Sequence, residues 1–147
     1  MRLLIALIIL LPFFAEAQLI DDFSDGDFSA NPSWTGDTGL FQVNTSNQLQ
    51  LNDIAAGQAQ IRTPYSPANL DNTEWIFYIR QSFSPSGNNN SRVYLTSDQA
   101  DLSASLNGYF LQFGEAGSND AIELFYQNGT SSTSVARGTE VLLVPFW

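Results

Sequence analysis

The stretch "DDFSDGDF" at residues 21–28 sets four carboxylates, Asp21, Asp22, Asp25 and Asp27, around a single glycine. Oxygen donors at that density are the raw material of a calcium site, since Ca²⁺ takes roughly six to eight of them. The spacing lacks the distal bidentate glutamate of an EF-hand loop. Turn chemistry accounts for the same residues without an ion, with Gly26 supplying an unusual φ. The four aspartates are therefore a candidate calcium site, and its rival is a solvated acidic turn leading into Phe28.

Catalysis has little to draw on. The chain holds no histidine, cysteine or lysine, which excludes Ser-His and Cys-His nucleophile systems, lysine bases, imidazole metal sites and thiolates. A carboxylate pair flanking a glycosidic bond is the chemistry that remains. Aromatic rings are the other candidates, because an exposed, rigid, amphipathic ring can stack on a sugar. They are Trp34, Tyr65, Trp75, Tyr78, Tyr94, Tyr109 and Tyr126. Trp34 follows Pro32 in a loop and is the candidate ligand-binding residue. Trp75 lies inside an alternating run and is expected in the core.

The N-terminus assigns a compartment. Arg2 and the α-amino group precede an apolar run from Leu3 to Phe14, and Ala15-Glu16-Ala17 offers small residues where a signal peptidase needs them. Residues 1–17 read as a signal peptide cleaved before Gln18. A membrane span would need roughly 20 apolar residues. Residues 18–147 suffice for one domain with a core, which no disulfide can staple and no cysteine-linked lipid can anchor. The net charge of −10 at pH 7 repels phosphate backbones and anionic membranes. A secreted or cell-surface protein follows, without nucleic-acid partners or membrane insertion of the mature chain.

The elements that must position these residues have period two. Leu19, Ile20 and Phe23 suggest a first strand. "TEWIFYIRQSF" puts Trp75, Phe77, Ile79 and Phe83 on one face, "RVYLTSD" sets Val93 and Leu95 against Tyr94 and Thr96, and "GYFLQF" sets Tyr109, Leu111 and Phe113 against Phe110 and Gln112. The rows Trp75-Phe77-Ile79 and Tyr109-Leu111-Phe113 are expected to face the core. No amphipathic helix follows Ala17, and Gly, Asn, Ser and Pro clusters such as "SPSGNNNS" punctuate the strands.

Two hairpins can be given a register. In "FQVNTSNQLQL" a three-residue loop, Thr45 to Asn47, pairs Phe41 with Leu51 and Val43 with Leu49, whereas a two-residue loop would pair Val43 with Gln50. Asn47 is then the left-handed residue. In "DAIELFYQNGTSSTSVAR" a type I′ turn at Asn128-Gly129 pairs Gln127 with Thr130, Leu124 with Thr133, Ile122 with Val135 and Asp120 with Arg137, and leaves Glu123 opposite Ser134.

The order "DDFSDGDFSANPSWTGDTGLFQVN", "LQLND", "RVYLTSDQADLSASLNGYFLQFGEAGSNDAIELF" and "ARGTE" resembles the concanavalin-like jelly-roll domain at the N-terminus of large exported proteins of the Bacteroidetes type. Such proteins often carry lamin-tail and type IX secretion sorting domains further along. The resemblance spans most of residues 19–140. It implies an antiparallel β-sandwich of jelly-roll type, a cell-surface setting and no reaction. It also implies further strands after Gly138, whereas this sequence ends "EVLLVPFW". The expectation is a chain short of its C-terminal strands, with 141–147 an atypical tail. Glycosidases of jelly-roll type often place acids as E-x-D-x-x-E. Glu115, Asp120 and Glu123 are the nearest approach, and they do not match it.

The functional expectation is a non-catalytic exported module for adhesion or glycan recognition, with glycan or other cell-surface material as partner. A structural N-terminal domain without a ligand is the alternative. A fragment of a polysaccharide-active hydrolase is a more distant one.

Overall fold

The computed structural model describes residues 18–65, 70, 73–115, 117 and 121–138. The signal-peptide reading, Asp120 and the tail fall outside them. Among the described residues the fold is all-β, built of antiparallel sheets of two, two and four strands in a β-sandwich arrangement. Strands β1 (Thr35–Gly36) and β4 (Ile61–Arg62) pair, as do β2 (Phe41–Val43) and β3 (Leu49–Leu51). The large sheet is β5 (Ser91–Ser97), β6 (Leu106–Phe113), β7 (Ile122–Gly129) and β8 (Ser131–Gly138), in that order. Among the described residues the only helical turn is a 3-10 turn, Thr38–Leu40, and no helix is long and apolar enough to cross a membrane.

The first hairpin forms as its parity requires. Phe41 faces Leu51, Gln42 faces Gln50 and Val43 faces Leu49. Asn47 takes φ 55°, and the Asn44 carboxamide accepts from the Ser46 N–H at 2.8 Å and the Gln48 N–H at 3.1 Å. An asparagine that tolerates the left-handed region and another that binds the loop's amides close this turn together.

The second hairpin is displaced from expectation. Asn128 pairs with Ser131, Gln127 with Ser132 and Tyr126 with Thr133. The loop is Gly129-Thr130, and of the two only Gly129 has a positive φ, 66°. That pattern belongs to a type II′ turn with glycine first, which leaves Asn128 in the strand. A shift by two preserves every side chain's face, so hydrophobic patterning cannot distinguish the two registers. A bulge at Val135 moves the ladder again, so that Glu123 and not Asp120 faces Arg137.

In the large sheet, alternation sorts the side chains onto two faces. One carries a cross-strand aromatic row, Tyr94, Phe110 and Phe125. Phe110 stacks on Phe125 with centroids 5.1 Å apart and planes 13° apart, and Tyr94 lies 5.0 Å away. The Arg92 guanidinium sits 5.0 Å over the Phe110 ring. Phe110 and Leu106 are each only 1% exposed. The expected core row of β6 is thus corrected: the even-numbered face is the drier one, and Tyr109 is 43% exposed. Apolar residues occur on both faces of this strand, and Gln112 misled the alternation. Its amide is satisfied locally, donating to the Gly114 carbonyl at 3.0 Å and accepting from Arg92 Nε at 3.0 Å.

Strand β5 changes sides partway. Leu95 is an extra residue between the Tyr94–Phe110 and Thr96–Tyr109 pairs. The bulge turns Thr96 to the face opposite Tyr94. Gly108 makes this possible, because a Cβ there would run into the Thr96 carbonyl.

Two expected strands are not laddered. Residues 18–23 form none: Phe23 has φ 56° and its N–H donates to Asp21 Oδ1 at 2.9 Å. Residues 74–83 also enter no ladder. Their alternation survives as exposure, with Trp75 and Phe77 at 39% against Ile76 at 85% and Tyr78 at 69%. Trp75 is half exposed, which corrects its assignment to the core. Phe77 meets Phe113 edge-on at 6.1 Å, and Gln81 Nε2 donates to Ser91 Oγ and the Phe113 carbonyl, both at 3.1 Å. One ring and one amide hold this segment on the sheet in place of a ladder.

Candidate functional site

The aspartate stretch folds as a series of tight turns. Asp22 Oδ1 accepts the Ser24 N–H at 3.0 Å, Asp25 Oδ1 the Asp27 N–H at 3.2 Å, and Asp27 Oδ1 the Ser29 N–H at 2.6 Å. Gly26, with φ 83°, closes the turn by donating to the Phe23 carbonyl at 3.1 Å. These are Asx turns, in which each carboxylate caps the backbone two residues on. The bonds lower the carboxyl pKa of Asp22, chiefly through the Ser24 hydroxyl, and of Asp27, chiefly through the Ser29 amide. Among the described residues no group of three or more acidic side chains is placed to hold a metal ion. The structure does not gather Asp21, Asp22, Asp25 and Asp27 around a common point.

It does join Asp21 to Trp34. The indole Nε1–H donates to Asp21 Oδ2 at 2.7 Å, and Phe23 packs on the ring at 6.2 Å. Trp34 is half-buried, with its polar edge already used. No local sequence signal couples residues thirteen apart in a loop.

The remaining aromatic candidates separate by their partners. Tyr94 donates its hydroxyl to Gln127 Oε1 at 2.6 Å and lies in the aromatic row beside Phe110. Tyr109 and Tyr126 meet on the opposite face, with centroids 5.0 Å apart and planes inclined by 41°. Neither of their hydroxyls has a hydrogen-bond partner among the described residues. Trp75 and Tyr78 belong to the unladdered segment, and Tyr65 is 41% exposed.

Three carboxylates outside the turns, Asp98, Asp101 and Glu115, are engaged in structure. Asp98 accepts the Asn107 N–H at 2.7 Å and its Nδ2 at 2.8 Å, and these bonds, the backbone one first, lower its pKa. Asp101 is held at about 2 by the Ser103 hydroxyl, the Gln60 amide, the Ser103 N–H and the charge of Arg62. Glu115 forms an ion pair with Arg137, and Glu123 stands opposite Arg137 where the expected register set it opposite Ser134. Each resolved pKa shift is downward, which favours the charged form and not a proton donor.

Family models, curated proteins and solved structures were compared with this chain, and none matches it.

Proposed function

We propose that this chain is a non-catalytic, exported β-sandwich module of jelly-roll type that recognises glycan at a cell surface. The observation that carries the reading is the set of solvent-exposed aromatic side chains, Trp75, Tyr78 and Tyr109, the last of them on strand β6. Amphipathic rings of this kind bind the apolar faces of sugars while their polar tips stay wet. The composition supports the non-catalytic half: histidine, cysteine and lysine are absent, and the carboxylates with resolved shifts are tuned toward ionisation.

A glycan array probed with the purified chain tests the reading. Binding to a defined class of oligosaccharide is expected. No binding at any spot would leave the ligand-free structural domain in its place. Export is tested separately by mass spectrometry of the product recovered outside the cell. Its N-terminus should be Gln18, and retention of Met1 would overturn the assignment of residues 1–17.

A further inference from the structure

The Tyr109–Tyr126 pair is the centre of a larger and regular surface. Across the four strands, Thr96, Tyr109, Tyr126 and Thr133 fall in one cross-strand row. The next row toward the turns holds Asn107, Asn128 and Ser131, and Asp98 joins it by donating its N–H to the Asn107 carbonyl at 3.0 Å. Alternation puts both rows on the same face. Tyr109, Thr133, Asp98, Asn107, Asn128 and Ser131 are exposed, and Thr96 and Tyr126 are half-buried. Three strand spacings of about 4.8 Å make the patch about 14 Å wide.

Its chemistry is selective. Two aromatic rings form the middle; the positions beside them in their row and in the row toward the turns carry hydroxyls, carboxamides and a carboxylate, and on the other side the half-buried Leu111–Leu124 pair shares the face. A pyranose has the complementary composition: C–H groups on its ring faces and hydroxyls around its rim. The Asp98 carboxylate, already fixed by Asn107, adds a strong acceptor for a sugar hydroxyl. The ladder fixes the rows in relation to one another, so little ordering entropy is spent on binding. With a net charge of −10 and Asp98 in the patch, uronate, sulfate or sialate groups meet repulsion.

We propose that the rows centred on Tyr109 and Tyr126 form a binding subsite for a short run of neutral hexose units. This rests on the glycan reading above and deepens it with a place and a ligand class. The bulge at Leu95 is part of the subsite, since it turns Thr96 into the tyrosine row.

The test uses the purified full chain in affinity electrophoresis against neutral glucan, mannan and galactan, with polygalacturonate as the anionic comparator. Binding to at least one neutral polymer and none to polygalacturonate is expected. Tyr109→Ala and Tyr126→Ala should each weaken it about tenfold or more, an affinity change of about 1.4 kcal/mol. Tyr109→Phe should retain most of it. Thr133→Glu, at an exposed edge position opposite Tyr126, should crowd the patch and weaken binding without touching the core. Urea midpoints of the variants separate lost binding from lost folding. Binding that survives both alanine changes and Thr133→Glu but falls with Trp75→Ala would overturn the subsite and leave the glycan reading intact. Preference for polygalacturonate would overturn the ligand class. No binding to any polymer or array spot would overturn both readings.

Discussion

At the residue scale, the density of aspartate at 21–27 is explained by backbone amides. Carboxylates that already accept N–H groups at 2.6 to 3.2 Å gain little from an ion they would have to share. The thermal midpoint should therefore be the same in chelator and in millimolar calcium, whereas a native-state ligand would raise it by mass action. A rise with calcium would restore the metal site. The Trp34–Asp21 bond has an energy of its own: Asp21→Asn weakens a charge-assisted bond and should cost about 1 to 2 kcal/mol in a urea melt. Asp101 makes a pH prediction. Its folded pKa of about 2 lies below the unfolded value, so its stabilisation is full above the unfolded pKa and is lost as pH falls through the folded one. Between about pH 4 and pH 2 the urea midpoint should fall less in Asp101→Asn than in the parent chain. Identical slopes would show that Ser103, Gln60 and Arg62 do not hold the carboxylate in solution.

At the scale of elements, the close approach at the β5 bulge is the most sensitive point of the large sheet. Gly108→Ala should cost about 1 to 3 kcal/mol, because the new methyl meets the Thr96 carbonyl, which cannot withdraw without breaking the ladder. A cost near zero in a urea melt would mean that the bulge relaxes freely. The two hairpins show what was legible beforehand. Between Phe41 and Leu51 a wrong loop length flips a face, so apolar parity fixes the register. Between Ile122 and Gly138 the competing turns are offset by one residue and shift the pairing by two, both keep the faces, and Gly129 serves either turn type. Strands β5, β6 and β7 could be read from period two, but which face of β6 is drier could not, since Tyr109, Leu111 and Phe113 rival Leu106 and Phe110 in apolar character. Residues 74–83 alternate like a strand and lack a ladder, because alternation records sidedness and says nothing of a hydrogen-bonded neighbour. The tyrosine platform was half visible: both rings were candidates, but their adjacency needs the β6–β7 register.

At the scale of the whole molecule, charge and apolar exposure oppose one another. The net charge of −10 keeps copies apart, while Trp75, Ile76, Phe77 and Tyr78 present apolar area along one unladdered segment. Salt shortens the reach of the repulsion, from about 30 Å at 0.01 M to about 8 Å at 0.15 M. Size-exclusion chromatography should therefore show more self-association as salt is raised, and Ile76→Lys should suppress it. A single monomer peak at all salt concentrations would mean that the segment is not adhesive. The bulge at Leu95 has a consequence for heredity. Leu95 is the residue through which one strand serves both faces of the sheet, placing Tyr94 in the aromatic row and Thr96 beside Tyr109. A point mutation at this codon swaps one side chain. Deleting the codon would rotate one half of the strand through the sheet and remove either Tyr94 or Thr96 from its row. Descendants of this gene should vary freely in which residue stands at position 95 and hardly at all in whether one stands there.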